Sequence, residues 1–270
     1  MVDVPSIFGI VNATADSFSD GGRYLAPEAA IAHALRLLDD GADVIDVGAA
    51  ASNPDAAHVP PDEEIRRLAP IVAALKQRQA ALSIDTFAPE TQRWALAQNV
   101  AWLNDIQGFP DASLYADLAQ STVRLVVMHN VAPRGRAERM ATDPATIFDR
   151  LRRFFDERLA ALDRAGIARD RIVIDPGMGF FLGTDPEVSL AVLRHLPELK
   201  ARYRLPVLVS VSRKSFVRNL AKVDVADAGP ATLAAELFAA AQGADFLRTH
   251  DVASLRRALA VWAALDARKP

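Results

Sequence analysis

At 270 residues, with 51% hydrophobic and 24% charged side chains, the chain has the material for a full core. Its formal net charge of −3 and pI near 6.0 give no field to attract nucleic acid, so any anion must be bound by a local group of bases. The absence of cysteine excludes disulfides and thiolate metal sites and fits a reducing compartment.

The opening MVDVPSIFGIVN has no basic run before its apolar one and does not read as a signal peptide. No uncharged apolar run approaches the ~18 residues of a membrane span. Glu236 and Asp245 interrupt the nearest, 231–247. The expectation is a soluble, cytoplasmic protein with neither a nucleic-acid nor a membrane partner.

In chain order, SIFGIVN (6–12) predicts a first strand. APEAAIAHALRLLDDG (26–41) predicts a helix closed by Gly41. DVIDVG (43–48) is a second strand, and DEEIRRLAPIVAALKQR (62–78) a helix with acids early and bases late, as its dipole favours. Strands ALSID (81–85), VAWLND (100–105) and RLVVMH (124–129) follow, then a polar loop, 130–143. The segment 144–166 predicts the longest helix, its Phe, Leu and Ile stripe being core. RIVID (171–175), PVLVSVS (206–212) and DFLRTH (245–250) complete eight strands.

These runs are nearly continuous in apolar residues, which suits a parallel sheet covered on both faces. Eight of them alternating with helices predict a (β/α)8 TIM barrel, with a doubly wound open sheet as the competing architecture. No G-x-G-x-x-G follows the first strand, which weakens a dinucleotide-binding version. No linker divides the chain, so a single domain over 1–270 is expected.

The strand ends are polar: Asn12, Asp46, Asp85, Asn104 with Asp105, His129, Asp175, the run Ser212 to Ser215, Arg248 and His250. Singly, each has an ordinary use as a cap, a turn former or a buried histidine. Jointly they predict one site, because a barrel brings these ends to a common face. Asp85, Asn104 and Asp175 suit a flat heterocycle rich in N–H donors. Lys214, Arg248 and His250 suit phosphate or pyrophosphate. The loop NATADSFSDGG (12–22) adds the hard oxygen donors Asn12, Asp16 and Asp20, of the kind that take magnesium.

IVNATADSFSDGG (10–22), GADVIDVG (41–48), SIDTFAPE (83–90), LNDI (103–106), DPGMGF (175–180), SRKSF (212–216) and RTHD (248–251) stand in order at these ends. Together they resemble the dihydropteroate synthase family almost end to end. The resemblance implies a (β/α)8 barrel, a homodimer, and the joining of 6-hydroxymethyl-7,8-dihydropterin diphosphate to p-aminobenzoate through a dissociative displacement. By motif position, Asp85, Asn104, Asp175 and Lys214 would hold the pterin. Arg248 and His250 would grip the diphosphate with Asn12 and Mg2+. Asp20 would order the closed site and stabilise the cation. Ser215, Phe180 and Phe181 would border p-aminobenzoate.

Departures from the family pattern are specific. Where the family has G-G-E-S-T-R-P, this chain reads GAAASNP (48–54), so Ser52 keeps a hydroxyl while Asn53 replaces an arginine. Phe181 stands where Gly is usual, the lysine after it is absent, and Ala15 replaces a proline. With QGFPD (107–111), PETQRWAL (89–96) and VVMH (126–129), these departures resemble the mobile sulfonamide-insensitive synthases. An added aromatic at Phe180 or Phe181 would fill the volume a sulfonamide needs beyond the natural substrate. The competing functions are a methyltetrahydrofolate-dependent methyltransferase and a decayed homologue that binds pterin without turnover.

Overall fold

The structure, a computed structural model, describes residues 4–13, 27–132 and 135–266. Its eight strands are β1 (Ser6–Asn12), β2 (Val44–Gly48), β3 (Leu82–Asp85), β4 (Trp102–Asp105), β5 (Arg124–Met128), β6 (Ile172–Asp175), β7 (Leu208–Val209) and β8 (Phe246–Thr249). All pair in parallel, in the order β6-β5-β4-β3-β2-β1-β8-β7. A bridge between Ile174 and Val207 joins the two ends, so the sheet is a closed cylinder and the open-sheet alternative fails.

The helices are α1 (Pro27–Asp39), α2 (Pro61–Gln77), α3 (Pro89–Ala97), α4 (Tyr115–Gln120), α5 (Ile147–Arg164), α6 (Pro186–Arg194), α7 (Leu196–Tyr203), α8 (Ser215–Ala221), α9 (Gly229–Ala241) and α10 (Val252–Asp266). The expected stripe of the 144–166 segment is core: Ile147, Leu151, Phe155, Leu159 and Leu162 of α5 are buried. No described helix is long and apolar enough to cross a membrane.

The seventh strand is much shorter than PVLVSVS suggests. Pro206 has no N–H to give the ladder and only accepts from Ile174, at 3.0 Å. The Ser210 hydroxyl turns to the Arg248 carbonyl (3.3 Å), and the chain bends into the barrel mouth.

Side chains alternate across each strand with period two, and the two faces differ in chemistry. Outward residues such as Ile7, Ile45, Ile84, Leu103, Leu125, Ile174 and Leu247 join the large core beneath the helices. Inward, Phe8, Val44, Trp102, Val126, Val173 and Leu208 form a separate apolar layer, packed with Phe246. Phe8 and Trp102 meet edge to face at 5.1 Å, and the Arg124 guanidinium lies 4.0 Å over the Trp102 ring. This layer plugs the amino-terminal half of the barrel. Two residues further along, the inward positions turn polar on every strand but β1 and β5, which place Ile10 and Met128 there.

Candidate active site

That next inward layer consists of Asp46, Asp85, Asn104, Asp175 and Arg248, and two residues beyond it come Asn12, Ser212 and His250. Lys214 arrives from the turn after β7, where Arg213 takes a left-handed φ of 58° and the Lys214 N–H closes onto the Val211 carbonyl at 3.1 Å. The barrel mouth is a cleft of about 650 Å³ lined by Asn12, Ser52, Asn53, Asp85, Lys214, Arg248 and His250 among others. The abrupt passage from apolar strand to charge in VLVSVSRKSF is the sequence leaving the barrel wall at this mouth.

Arg248 organises the layer. Its Nε donates to Asp46 Oδ2 at 2.5 Å, and its Nη2 donates to Asp85 Oδ2. Burial opposes the Arg248 charge, but Asp46, Asp85 and Asp175 outweigh it and raise the pKa further. Burial pushes Asp85 up to about 6 against the pull of Arg248. Asp175 also rises to about 6 by burial, opposed by its bond from Gly177 and by Arg248 and Lys214. Burial and Arg248 bring Lys214 down to about 8, so it is still mainly charged at neutral pH. Three carboxylates therefore face two cations.

Two buried acceptors, Asp46 Oδ1 and Asn104 Oδ1, have no hydrogen-bond donor among the described residues. A buried acceptor left so costs about 1–3 kcal/mol, which a ligand N–H would recover. Asp46 carries such an acceptor although the sequence, which groups it with the polar strand ends, gave it no ligand to hold. Its signal was present, since it is a polar strand end on the same inward row as Asp85.

The Asp175 carboxylate accepts from the Gly177 N–H at 2.7 Å. Gly177 has a φ of 72°, and a Cβ there would lie 2.5 Å from the His129 carbonyl oxygen, so only glycine fits the turn. His129 itself belongs to the scaffold. It is buried against Phe154 with ring centres 5.1 Å apart, has Nδ1 3.2 Å from the Pro176 carbonyl, and is brought down to about 4 by burial. Asp105 points outward as well, accepting from Gln92 and from the N–H groups of Gln107 and Phe109. The alternation of β4 thus separates Asn104, in the site, from its neighbour.

The two phenylalanines part company. Phe181 is buried with Ile106, Met128 and Ala137, and the Lys214 ammonium sits 4.6 Å from its ring centre. Phe180 is half-buried, with the Arg139 guanidinium 5.6 Å from its ring. Arg139 is ion-paired with Asp55, and the Ala137 N–H donates to the Ser52 carbonyl at 3.0 Å. The segment after β5 therefore ties the Ser52 loop to the phenylalanine loop, a link that sequence spacing alone does not reveal. Asn53 is exposed, and its side chain accepts from the Asp55 N–H. Ser215 opens α8 beside Gly179. Asn12, exposed at the end of β1, lies opposite Gly48 on the cleft wall. Asp16 and Asp20 fall outside the described residues.

The pattern of the family described as "Pterin binding enzyme" matches residues 8–250, and the chain belongs to that family. Its relatives are dihydropteroate synthases. A type-2 dihydropteroate synthase of Escherichia coli is 59% identical, covering 96% of this chain and 95% of the relative. A type-3 enzyme of Escherichia coli is 52% identical, covering 96% and 98%, while the Neisseria meningitidis enzyme is 37% identical over 98% and 94%. Among solved structures, the Xanthomonas albilineans dihydropteroate synthase with 4-aminobenzoic acid superposes with a TM-score of 0.90 at 38% identity, covering 99% and 95% of the two chains. The same enzyme in complex with 7,8-dihydropteroate gives 0.86 at 38% identity, covering 100% and 96%.

Proposed function

We infer that the barrel mouth joins 6-hydroxymethyl-7,8-dihydropterin diphosphate to p-aminobenzoate, forming 7,8-dihydropteroate and releasing pyrophosphate. The chain is a transferase of folate biosynthesis. The observation that carries the site assignment is the pair of buried acceptors without donors, Asp46 Oδ1 and Asn104 Oδ1, beside the Asp175 carboxylate. A pterin offers ring and amino N–H groups to such acceptors, and each bond to a carboxylate is worth about 1.5–3 kcal/mol. Lys214 supplies a cation for the ring's acceptor edge. Arg248, held between Asp46 and Asp85, stands where the ring ends and the diphosphate begins, with His250 further out on the same strand row.

The chemistry asked of the protein is placement and charge, not nucleophilic attack. As the bond to the diphosphate lengthens, positive charge grows on the pterin methylene. The excess of one carboxylate over the two cations favours that charge in a site screened from water. His250 gives an N–H to the departing diphosphate. Ser52, Ser215 and Phe180 border p-aminobenzoate.

Magnesium fits this site. Asn12 presents one hard amide oxygen to the cleft, and the described residues include no group of three or more acidic or histidine ligands. Magnesium bound by one or two protein oxygens plus phosphates and water needs no more. When bound, it would neutralise the diphosphate and ease its departure, with Asn12 as its protein ligand.

Reduced sulfonamide sensitivity follows from the aromatic pair. Phe181 props the loop from beneath, and half-exposed Phe180 is the ring available to occupy the volume of a sulfonamide substituent. A homodimer is supported by an apolar groove of about 420 Å³ between α6, α8 and α9, bordered by Leu190, Phe216, Leu220 and Phe238. Leu220 and Phe238 are 53% and 41% exposed in one chain, as a face covered by a second copy would be. A cytoplasmic location fits the cysteine-free composition.

The test is turnover. Purified protein given the pterin diphosphate, magnesium and p-aminobenzoate should release pyrophosphate only when both substrates are present. Binding of pterin with no release would instead reveal the decayed homologue.

A further inference from the structure

We propose that Ser212 is a positioning residue that fixes His250 as the neutral imidazole protonated on Nε2, ready to donate to the diphosphate. The inference deepens the diphosphate assignment above and rests on it. The pairing of β7 with β8 sets Leu208 opposite Phe246 and Val209 opposite Leu247, an offset of 38 residues. The same offset carries Ser212 to His250, and the Ser212 Oγ lies 2.9 Å from His250 Nδ1.

Counting protons gives the direction of that bond. A hydroxyl has one proton and two acceptor positions, and a neutral imidazole has one donor nitrogen and one acceptor. The His250 backbone N–H, which can only donate, reaches Ser212 Oγ at 3.2 Å. Thr249 Oγ1 donates to the same oxygen at 3.4 Å. Both acceptor positions are thereby used, and the serine proton goes to Nδ1.

Thr249 has its own acceptor position filled. It faces outward from β8, accepts the Asp251 N–H at 3.2 Å, and touches buried Glu236 of α9. Burial pushes the Glu236 carboxyl up to about 8, so at neutral pH it is mainly protonated and puts little charge beside Thr249. The donors run from Thr249 to Ser212 and from Ser212 to the ring.

The outcome suits the task. With the Nδ1 lone pair engaged by a hydroxyl, the remaining ring proton sits on Nε2, at the opposite edge. A carboxylate in place of Ser212 would invite an imidazolium. A hydroxyl does not, and burial with Arg213, Arg248 and Lys214 nearby lowers the ring to about 3. His250 is then a hydrogen-bond donor that neither adds charge nor hands its proton to the leaving group. The other tautomer would set a lone pair against a phosphate oxygen.

Long-range ¹H–¹⁵N correlation spectra read the tautomer directly, with His250→Gln assigning the signal among the five histidines. The free wild-type protein near pH 7.5 should show Nε2–H. Ser212→Ala should shift the ring towards Nδ1–H and weaken binding of magnesium pyrophosphate by about tenfold in calorimetry. Ser212→Thr, which keeps the hydroxyl, should restore both. An Nδ1–H ring or an imidazolium in the wild type overturns the proposal, even if Ser212→Ala does not fold. So does a Ser212→Ala protein with unaltered tautomer and pyrophosphate affinity. Failure of the wild type to bind pyrophosphate at all would instead remove the diphosphate assignment beneath it.

Discussion

Arg248 donates to Asp46 and Asp85 at once, so a residue expected on the diphosphate is also fastened to one expected on the pterin. The site is a single charged lattice whose members set one another's protonation. Asp175, raised to about 6, must be ionised to accept from the pterin, and Lys214, lowered to about 8, must be protonated to donate. kcat/KM for the pterin diphosphate should therefore fall as pH drops through about 6 and fall again as pH rises through about 8. A profile flat from pH 5 to 9 would show that these groups do not govern binding. Asp175→Asn replaces an anionic acceptor with an amide that is half donor. It should weaken pterin binding by about a hundredfold or more in calorimetry, and unaltered affinity would remove Asp175 from the site.

At the scale of elements, the fate of each polar residue was decided by which side of its strand it occupies. Strand-end position was legible in the sequence and brought Asn12, Asp85, Asn104, Asp175, Arg248 and His250 to one mouth. Facing was less legible, because parallel strands covered on both sides are apolar throughout and lack the alternation that reports a face. Asp105 and His129 were thus grouped with the site although they support turns from outside it, while Asp46, grouped with them, was given no ligand to hold. The Arg139–Asp55 link was hidden for another reason: it joins residues 84 apart through loops, where no periodicity constrains geometry.

The two phenylalanines can be separated by experiment at this scale. Phe180→Gly should lower the concentration of sulfamethoxazole that inhibits by about tenfold or more with little change in Tm, since its ring is only half-buried. Phe181→Gly should cost stability, on the order of 3–5 kcal/mol as for other buried aromatics cut back to a small residue. If both variants remain as tolerant of the drug as the parent, the steric explanation is wrong.

The contact of α9 with β8 makes a further prediction. Glu236 titrates near 8 in the fold and near 4.5 when unfolded, so folding holds a proton that the unfolded chain releases. Stability should be greatest below about 4.5 as far as this group is concerned and decline as pH rises through about 8. Glu236→Gln should remove that loss, raising stability on the order of a few kcal/mol at pH 8.5 and by little at pH 5. Equal effects at the two pH values would mean that Glu236 is not held neutral.

Over the whole molecule, the barrel divides its interior along its axis. The aromatic and aliphatic plug at the amino-terminal end fixes the cylinder, and stability resides there and beneath the helices. The carboxyl end holds charge in close quarters and leaves buried acceptors without donors, a local cost that a bound heterocycle would offset. The count of eight strands, their order and the face of the site were all legible, because they depend on long apolar runs and their spacing. Closure was expected from that count, and one bridge between Ile174 and Val207 decides it against the open sheet.

A crystal structure of the protein with 6-hydroxymethyl-7,8-dihydropterin diphosphate tests the central claim most directly. The expected density has the ring's N–H edge against Asp46, Asn104 and Asp175, with the diphosphate beside His250 and Asn12. Density instead in the outer cleft lined by Gln92, Asp105 and Arg158, or a diphosphate turned away from His250, would contradict it.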